Sequence, residues 1–218
     1  MIRMSHGYFE RLVTLDGVLH SKGLSFGTAK EEELLEAIKS HPYTQPWTVE
    51  GCQKSLQVLN TTAPNILKFV SPFGWADSGT IEGCPLVGLE KTVAIIKREC
   101  AGEALYDGLF WKNCVYDGSF ADIVTNLRER SVVTIGPPWT SRFGEFAGFS
   151  NWQHVTVDGK RSLQTMPQIK EGIAQALAGR PAGTVCLLQT GDYIDACIIH
   201  DMIDRLPQHN YISLGQVL

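Results

Sequence analysis

Between residues 131 and 215, short apolar runs alternate with longer stretches of helical periodicity, and nothing else in the chain constrains its fold as strongly. Ser131 to Ile135 is a β-branched run halted by Gly136, Pro137 and Pro138, the pattern of a buried strand forced into a turn. His154 to Val157 is a second strand, closed by Asp158 and Gly159. Thr165 and Gln168 have the spacing of a capping box, with Pro167 in the first turn. Ile169, Ile173, Ala176 and Leu177 then share one helical face, and Gly179 with Pro181 ends the helix. Thr184 to Leu188 is apolar nearly throughout, as a strand covered on both faces should be. Asp192 is placed to cap a helix running to about Leu206, with Ile194, Ile198, Met202 and Leu206 on its apolar side; Tyr211 to Leu214 is the last strand, before Gly215. Strands alternating with helices of this length predict a parallel sheet joined by right-handed crossovers. The expected class is α/β, Rossmann-like, with a mostly parallel sheet and helices on both faces.

Residues 1–100 are less regular than residues 101–218. Phe9 to Leu15 reads as a strand or the end of a helix, and Thr28 with Glu31 as a capping box opening a helix that carries Leu34, Leu35 and Ile38. Val49, Cys52, Leu56 and Leu59 mark another helix, Ile66 to Val70 a strand, and Ser71 to Trp75 a stiff aromatic loop. Leu89, Val93 and Ile96 suggest a helix and Glu103 to Phe110 a strand, while Ser119 is expected to cap a helix bearing Ile123, Val124 and Leu127. With no linker or repeat visible, residues 1–218 are expected to form a single α/β domain.

Composition narrows the function. A formal net charge of −4 argues against a nucleic-acid coat or a polybasic membrane binder. No run reaches the roughly 18 apolar residues of a membrane span. Residues 1–10 mix Arg3, His6 and Glu10 and lack the apolar stretch of a secretory signal, so a cytoplasmic location is expected. Six scattered cysteines form no CxxC pair and read mainly as small buried hydrophobes.

In open parallel sheets, ligands sit beyond the carboxyl ends of the strands. Three segments place unusual residues at such positions. In Gly136 to Arg142, Gly136 permits close backbone approach, Pro137 and Pro138 stiffen the loop, Trp139 offers a stacking face, and Arg142 offers a fork for phosphate or carboxylate. The alternative is a tight turn with the tryptophan folded onto the core. In Gln189 to Asp192, Thr190 and Gly191 lead into helix N-terminal amides suited to an anion, while Asp192 could accept from a sugar hydroxyl or simply cap the helix. In Ser25 to Glu31, Gly27 and Thr28 lead into three acidic residues that either complement the helix end or supply a base or metal ligand.

Asp77 and Glu82, flanking Gly79, could form a carboxylate pair, and Asn113 could line the same cleft. His200 and Asp204, one helical turn apart, permit a metal site or mark a solvated face. The chain lacks GxSxG, HExxH, GxxxxGK[ST] and a GxGxxG after any strand, which sets aside serine hydrolases, zincins, P-loop enzymes and the usual dinucleotide site.

The stretch from Leu127 to Pro137 resembles the middle strand and loop of the GT-D-type glycosyltransferases. The order that follows is similar too: strand, helix to Ala178, apolar strand with Thr190 and Gly191, helix, then Tyr211 to Gly215. The resemblance covers roughly the last 100 residues. It implies a Rossmann-like enzyme that moves a sugar from a nucleotide-sugar donor such as a UDP-sugar, with Mn²⁺ or Mg²⁺ as cofactor. The family's glycine loop with Asp-x-Glu would fall on Phe26 to Glu31, where Thr28 stands in place of the aspartate and the spacing is one residue longer. Glu31 then inherits the catalytic acidic role; Gly136 and Gly191 border the nucleotide.

Two other readings stay open. One is a different Rossmann-like nucleotide-ligand enzyme, such as a methyltransferase or nucleoside deoxyribosyltransferase; the other is a non-catalytic binding module. The acceptor (glycan, lipid-linked sugar, protein, or modified nucleic acid) is left open. The strand edge near the end of the chain can be covered by a partner chain, which makes a homo-oligomer an expectation.

Overall fold

The computed structural model describes residues 1–4, 6–40, 48–70, 89–100, 102–158 and 164–215. In chain order the elements are β1 (Ile2–Met4), α1 (His6–Ser21), α2 (Glu31–Ser40), α3 (Val49–Asn60), β2 (Lys68–Val70), α4 (Leu89–Glu99), β3 (Leu105–Asp107), α5 (Phe110–Asp117) and α6 (Ser119–Leu127). They continue with β4 (Ser131–Gly136), α7 (Phe143–Ala147), β5 (Asn151–Thr156), α8 (Met166–Leu177), β6 (Val185–Leu188), α9 (Asp192–Arg205) and β7 (Asn210–Ser213). The class is α/β with parallel sheets flanked by helices, as the alternation predicts. The chain divides into two compact units: Met1–Arg3, Asn65–Val70 and Leu105–Leu218 form one, and Met4–Pro64 with Ser71–Ala104 the other. The aromatic loop at Ser71 to Trp75 and the Asp77 and Glu82 pair lie outside the described residues.

The first unit is built on a four-stranded sheet in the order β5-β4-β6-β7, with all three pairings parallel. β4 is central because its side chains suit burial on both faces: Val132, Val133 and Ile135 are at most 1% exposed. Alternation puts Val132, Val185, Leu187 and Ile212 on one face, where they join Trp111, Phe149 and Leu214 in the core. The half-buried Phe120, Ile123, Val124 and Leu127 of α6 pack against that cluster, yet no residue of α6 is fully buried. Between this stripe and the sheet lies a cavity of about 60 Å³ whose lining, which includes Trp111, Phe143 and Leu187, is entirely apolar. The outer edge of β7 meets Met1, whose carbonyl accepts from Ser213 N–H at 3.1 Å. A second, three-stranded sheet runs β1-β2-β3, with β2 and β3 parallel.

In the other unit, α1, α2, α3 and α4 pack around Tyr8, Phe9, Leu12, Leu34, Ile38, Val58 and Ile95, all at most 3% exposed. Phe9 to Leu15 resolves as helix, part of α1. Thr48 caps α3, its side chain accepting from Gly51 N–H at 3.0 Å. Arg98 joins Asp16 at 3.1 Å, and Thr62 donates to Glu103 at 2.7 Å.

Several sequence expectations need correcting, each for a local reason. Glu103 to Phe110 is strand only over Leu105–Asp107, because the Asp107 carboxylate accepts from Leu109 N–H at 2.8 Å and turns the chain into α5. Ser119 does not cap α6: Gly118, at φ +86°, holds that position, and the Ser119 hydroxyl donates to Asp117 at 2.6 Å. That bond, with a second from Ser119 N–H at 2.9 Å, holds the Asp117 pKa below the ordinary carboxylate value. Thr165 precedes α8 without a side-chain cap bond. α9 is buried all round from Tyr193 to His200, not along a single stripe. His200 is 7% exposed, so it does not sit on a solvated face; Asp204 is exposed.

Candidate functional site

The carboxyl ends of β4 and β6 lie side by side. Gln189 N–H donates to the Ile135 carbonyl at 2.8 Å, and Val157 N–H to that of Gly136 at 2.9 Å. The loops leaving these strands therefore emerge from one edge, and they carry Gly136, Pro137, Arg142, Thr190, Gly191 and Asp192.

Gly136 is buried. A Cβ there would stand 2.5 Å from Thr140 Oγ1 and 3.6 Å from Gln189 Cβ. The glycine thus makes room for its own loop: Thr140, 7% exposed, folds back so that its N–H and hydroxyl both reach the Pro137 carbonyl, at 2.9 and 2.8 Å. Pro137 at φ −66° sets the start of a short 3₁₀ turn over Pro138–Thr140. Arg142 is exposed. It grips Glu145 through two bonds of 3.0 Å each, and its guanidinium carbon lies 4.8 Å from the Phe146 ring centroid. The hydrogen bond and charge of that pair raise the arginine pKa and lower the glutamate pKa.

Thr190 is turned inward, 6% exposed, and bonds to Asp195 through its N–H at 2.8 Å and its hydroxyl at 2.6 Å. The other Asp195 oxygen accepts from Ser213 Oγ at 2.8 Å. A carboxylate that is 0% exposed thereby ties the β6 exit, the first turn of α9 and the end of β7 into one network. Gly191, at φ +114° and ψ 139°, occupies backbone space that is open almost only to glycine. No atom lies within 4 Å of where its Cβ would be, and it precedes α9 with no side-chain cap bond. The first amides of a fourteen-residue helix thus follow an exposed glycine, an electropositive feature. Asp192 is the first residue of α9.

Asp195 and His154 are site-edge residues that motif reading passed over. An aspartate set among Ile194, Ala196, Cys197 and Ile198 was the available signal, since a charge inside an apolar helical run requires a buried partner. His154 pairs in register with Thr134, its Nδ1 2.9 Å from the threonine hydroxyl, and its Nε2 is buried with no hydrogen-bond partner among the described residues. Burial lowers the pKa of His154 and of His209. The unfolded chain therefore binds protons that the folded chain refuses once pH falls below the ordinary histidine value of about 6.5. Folding stability is full above that pH and declines as acid carries the solution toward the folded-state pKa values. Urea midpoints measured at about pH 8 and pH 5.5 should show the drop, and the His154→Gln, His209→Gln double variant should show less of it. An equal drop in the double variant would assign it to other groups.

Gly27, Thr28 and Glu31 belong to the second unit. Thr28 does not cap α2: its Oγ1 accepts from Ser25 N–H at 2.9 Å in a local turn. The capping bond is made two residues later, where Glu33 Oε2 accepts from Lys30 N–H at 2.7 Å. Gly27 and Glu31 are exposed. Among the described residues no three of His, Cys, Asp and Glu converge as a metal site, and Glu33 is already engaged by Lys30. These side chains do not by themselves fit a divalent cation. The described cysteines are buried thiols, and burial pushes the pKa of Cys52 and of Cys186 up to about 12. No described helix is long and apolar enough to cross a membrane.

No protein-family model and no curated protein matches this sequence. Among solved structures, a selenomethionine-substituted structure of domain of unknown function 1792 (DUF1792) matches over 99% of this chain and 72% of its own, with a TM-score of 0.64 and 11% sequence identity. Likeness at that identity speaks for architecture alone: this chain shares the Rossmann-like α/β fold of that domain.

Proposed function

We propose that the protein is a glycosyltransferase that moves a sugar from a nucleotide-sugar donor to an acceptor hydroxyl. The carrying observation is the shared edge of the two loops. The Gly136 turn and the exposed Gly191 turn leave adjacent parallel strands, and an uncapped helix begins at the second. The α/β fold shared with DUF1792 accommodates this reading, and the resemblance of residues 127–137 to the GT-D-type glycosyltransferases supports it.

Sugar transfer from such a donor is limited by departure of the nucleoside diphosphate, whose charge grows as the glycosidic bond breaks. Fixed N–H dipoles aimed at that charge stabilise the transition state without reorganising. The first amides of α9 supply them, and Asp195 holds the Thr190 to Gly191 bend in place from beneath. Glycine at 191 keeps the approach clear of side-chain atoms. Arg142, being gripped by Glu145, borders the site and is not a free phosphate fork. Glu31 is assigned the acidic role that the resemblance implies.

Titration calorimetry with UDP, GDP, ADP and CDP is expected to give saturable binding of at least one diphosphate at micromolar to millimolar level, about −8 to −4 kcal/mol. Flat isotherms for all four would defeat the reading. Donor hydrolysis by wild type, lost in Glu31→Gln, separates an enzyme from a binding module.

A further inference from the structure

The cavity under α6 has one firm wall and one loose one. The firm wall belongs to the core of the first unit: Trp111, Phe149, Leu187 and Leu214 are each at most 5% exposed, and the Trp111 indole N–H donates to the Ser213 carbonyl at 3.0 Å. The loose wall is α6, whose Phe120, Ile123, Val124 and Leu127 have the i, i+3, i+4, i+7 spacing of one helical face and all remain half-buried. That helix starts from Gly118, held at φ +86°. Because the α6 side chains that line the hollow also reach solvent, it opens beside the helix. Protein interiors keep few voids larger than a water molecule. This one, at about 60 Å³, has room for about four water-sized groups and an entirely apolar lining. It is less than half of the roughly 150 Å³ that admits benzene, so a slender chain fits where a ring does not.

A charged group stands next to this hollow. Arg128 follows the lining residue Leu127, and its Nε donates to the Ala147 carbonyl at 3.0 Å, within the segment that runs from the lining Phe143 to the lining Phe149. The guanidinium is thereby fixed beside two stretches of the wall, while its terminal nitrogens have no partner among the described residues. Arg128, Glu129 and Arg130 are all exposed, and two arginines with one glutamate give the turn a net charge of +1. We propose that the hollow takes the alkyl end of a fatty-acid-type carboxylate whose head is held by Arg128. A void without donors or acceptors selects hydrocarbon by exclusion, since a polar group placed there is left unpaired. A guanidinium matches the two oxygens of a carboxylate. The competing head, a phosphate monoester, carries about −1.5 to −2 at neutral pH and exceeds the single charge on offer. None of Gly136, Thr190 and Gly191 lines the hollow, so this site is independent of the sugar-transfer reading.

The test uses the full chain and three probes: octanoate, octanol and octyl phosphate. The Ile123 δ1 methyl resonance is assigned by its loss in Ile123→Val, and each probe is raised to about 10 mM, which covers millimolar affinities. Octanoate should shift that resonance in a saturable way. Val124→Phe, which fills the hollow, should weaken octanoate binding by about tenfold with the circular dichroism as in wild type. Leu127→Phe fills the same space and serves where Val124→Phe does not fold. Arg128→Gln should weaken octanoate by about threefold, the scale of an exposed ion pair, and leave octanol unchanged. The proposal is overturned if octanoate leaves Ile123 unmoved, or if its binding survives a folded filling variant in full. It is equally overturned if Arg128→Gln weakens octanol as much as octanoate or weakens neither, or if octyl phosphate binds more tightly than octanoate. Flat diphosphate isotherms beside a saturable octanoate shift that the filling variant removes support this site and defeat the transferase reading alone.

Discussion

Asp195→Ala is expected to lower the unfolding free energy by about 3 kcal/mol, since three buried donors lose a charged acceptor and each such loss costs about 1–3 kcal/mol before relaxation. Those donors are Thr190 N–H, the Thr190 hydroxyl and the Ser213 hydroxyl, at 2.8, 2.6 and 2.8 Å. Relaxation cannot recover much, because Thr190 is 6% exposed and Ser213 is fully buried, so water does not reach either cheaply. Asp195→Asn keeps the volume and one carbonyl acceptor, and its loss should be intermediate. The measurement is the urea midpoint at constant slope. A value for Asp195→Ala within about 0.5 kcal/mol of wild type would show that the network does not hold this edge together. Diphosphate affinity should fall in the same variant under conditions where it remains folded, because Thr190 is the anchor of the Gly191 bend.

Gly144→Ala is the second large effect, and it arises from crowding. Gly144 is buried in α7, and a Cβ there would come within 2.2 Å of Trp152 Cδ2, 2.4 Å of Cε3 and 2.7 Å of Cγ. These are atoms at the root and body of the indole, so the whole ring on β5 must move. Overpacking of that kind costs about 1–3 kcal/mol, which outweighs the roughly 0.8–1 kcal/mol that alanine gains over glycine in a helix unless the ring can shift cheaply. Thermal and urea unfolding should both register the loss. A variant as stable as wild type would mean that α7 slides freely over the strand. Trp152→Leu in the same background should restore part of the loss, which a purely backbone effect at Gly144 would not allow.

The strands of the first unit are legible because burial on two faces demands continuous apolar runs: Val132 to Ile135 and Val185 to Leu188 could be little else. Their parallel order follows from the helices between them. Caps are less legible, since a Thr-x-x-Gln or Thr-x-x-Glu spacing states only that a box is geometrically available. At Thr28 the hydroxyl found a nearer partner in Ser25, and Glu33, not Glu31, closed the helix end. The rim was visible through its glycines and prolines, which mark a backbone turning sharply after a strand. Gly136 was expected to admit a ligand, and instead it admits Thr140, a contact that no spacing rule encodes. Asp195 went unread because its partners, Thr190 and Ser213, come together only when β6 and β7 pair. Arg142 looks like an open fork in the sequence, but Glu145 lies three residues on, at helical pairing distance, and holds it.

The hollow beneath α6 has a mechanical consequence. Its lining is apolar, so it offers a water molecule no hydrogen-bond partner. Empty space in the folded state is volume that the opened state does not keep, so hydrostatic compression favours opening. The helix that roofs the void has no fully buried residue to anchor it. Under pressure α6 is therefore expected to loosen from the sheet before β4 and β6 part from each other, an order that amide exchange measured under pressure would show.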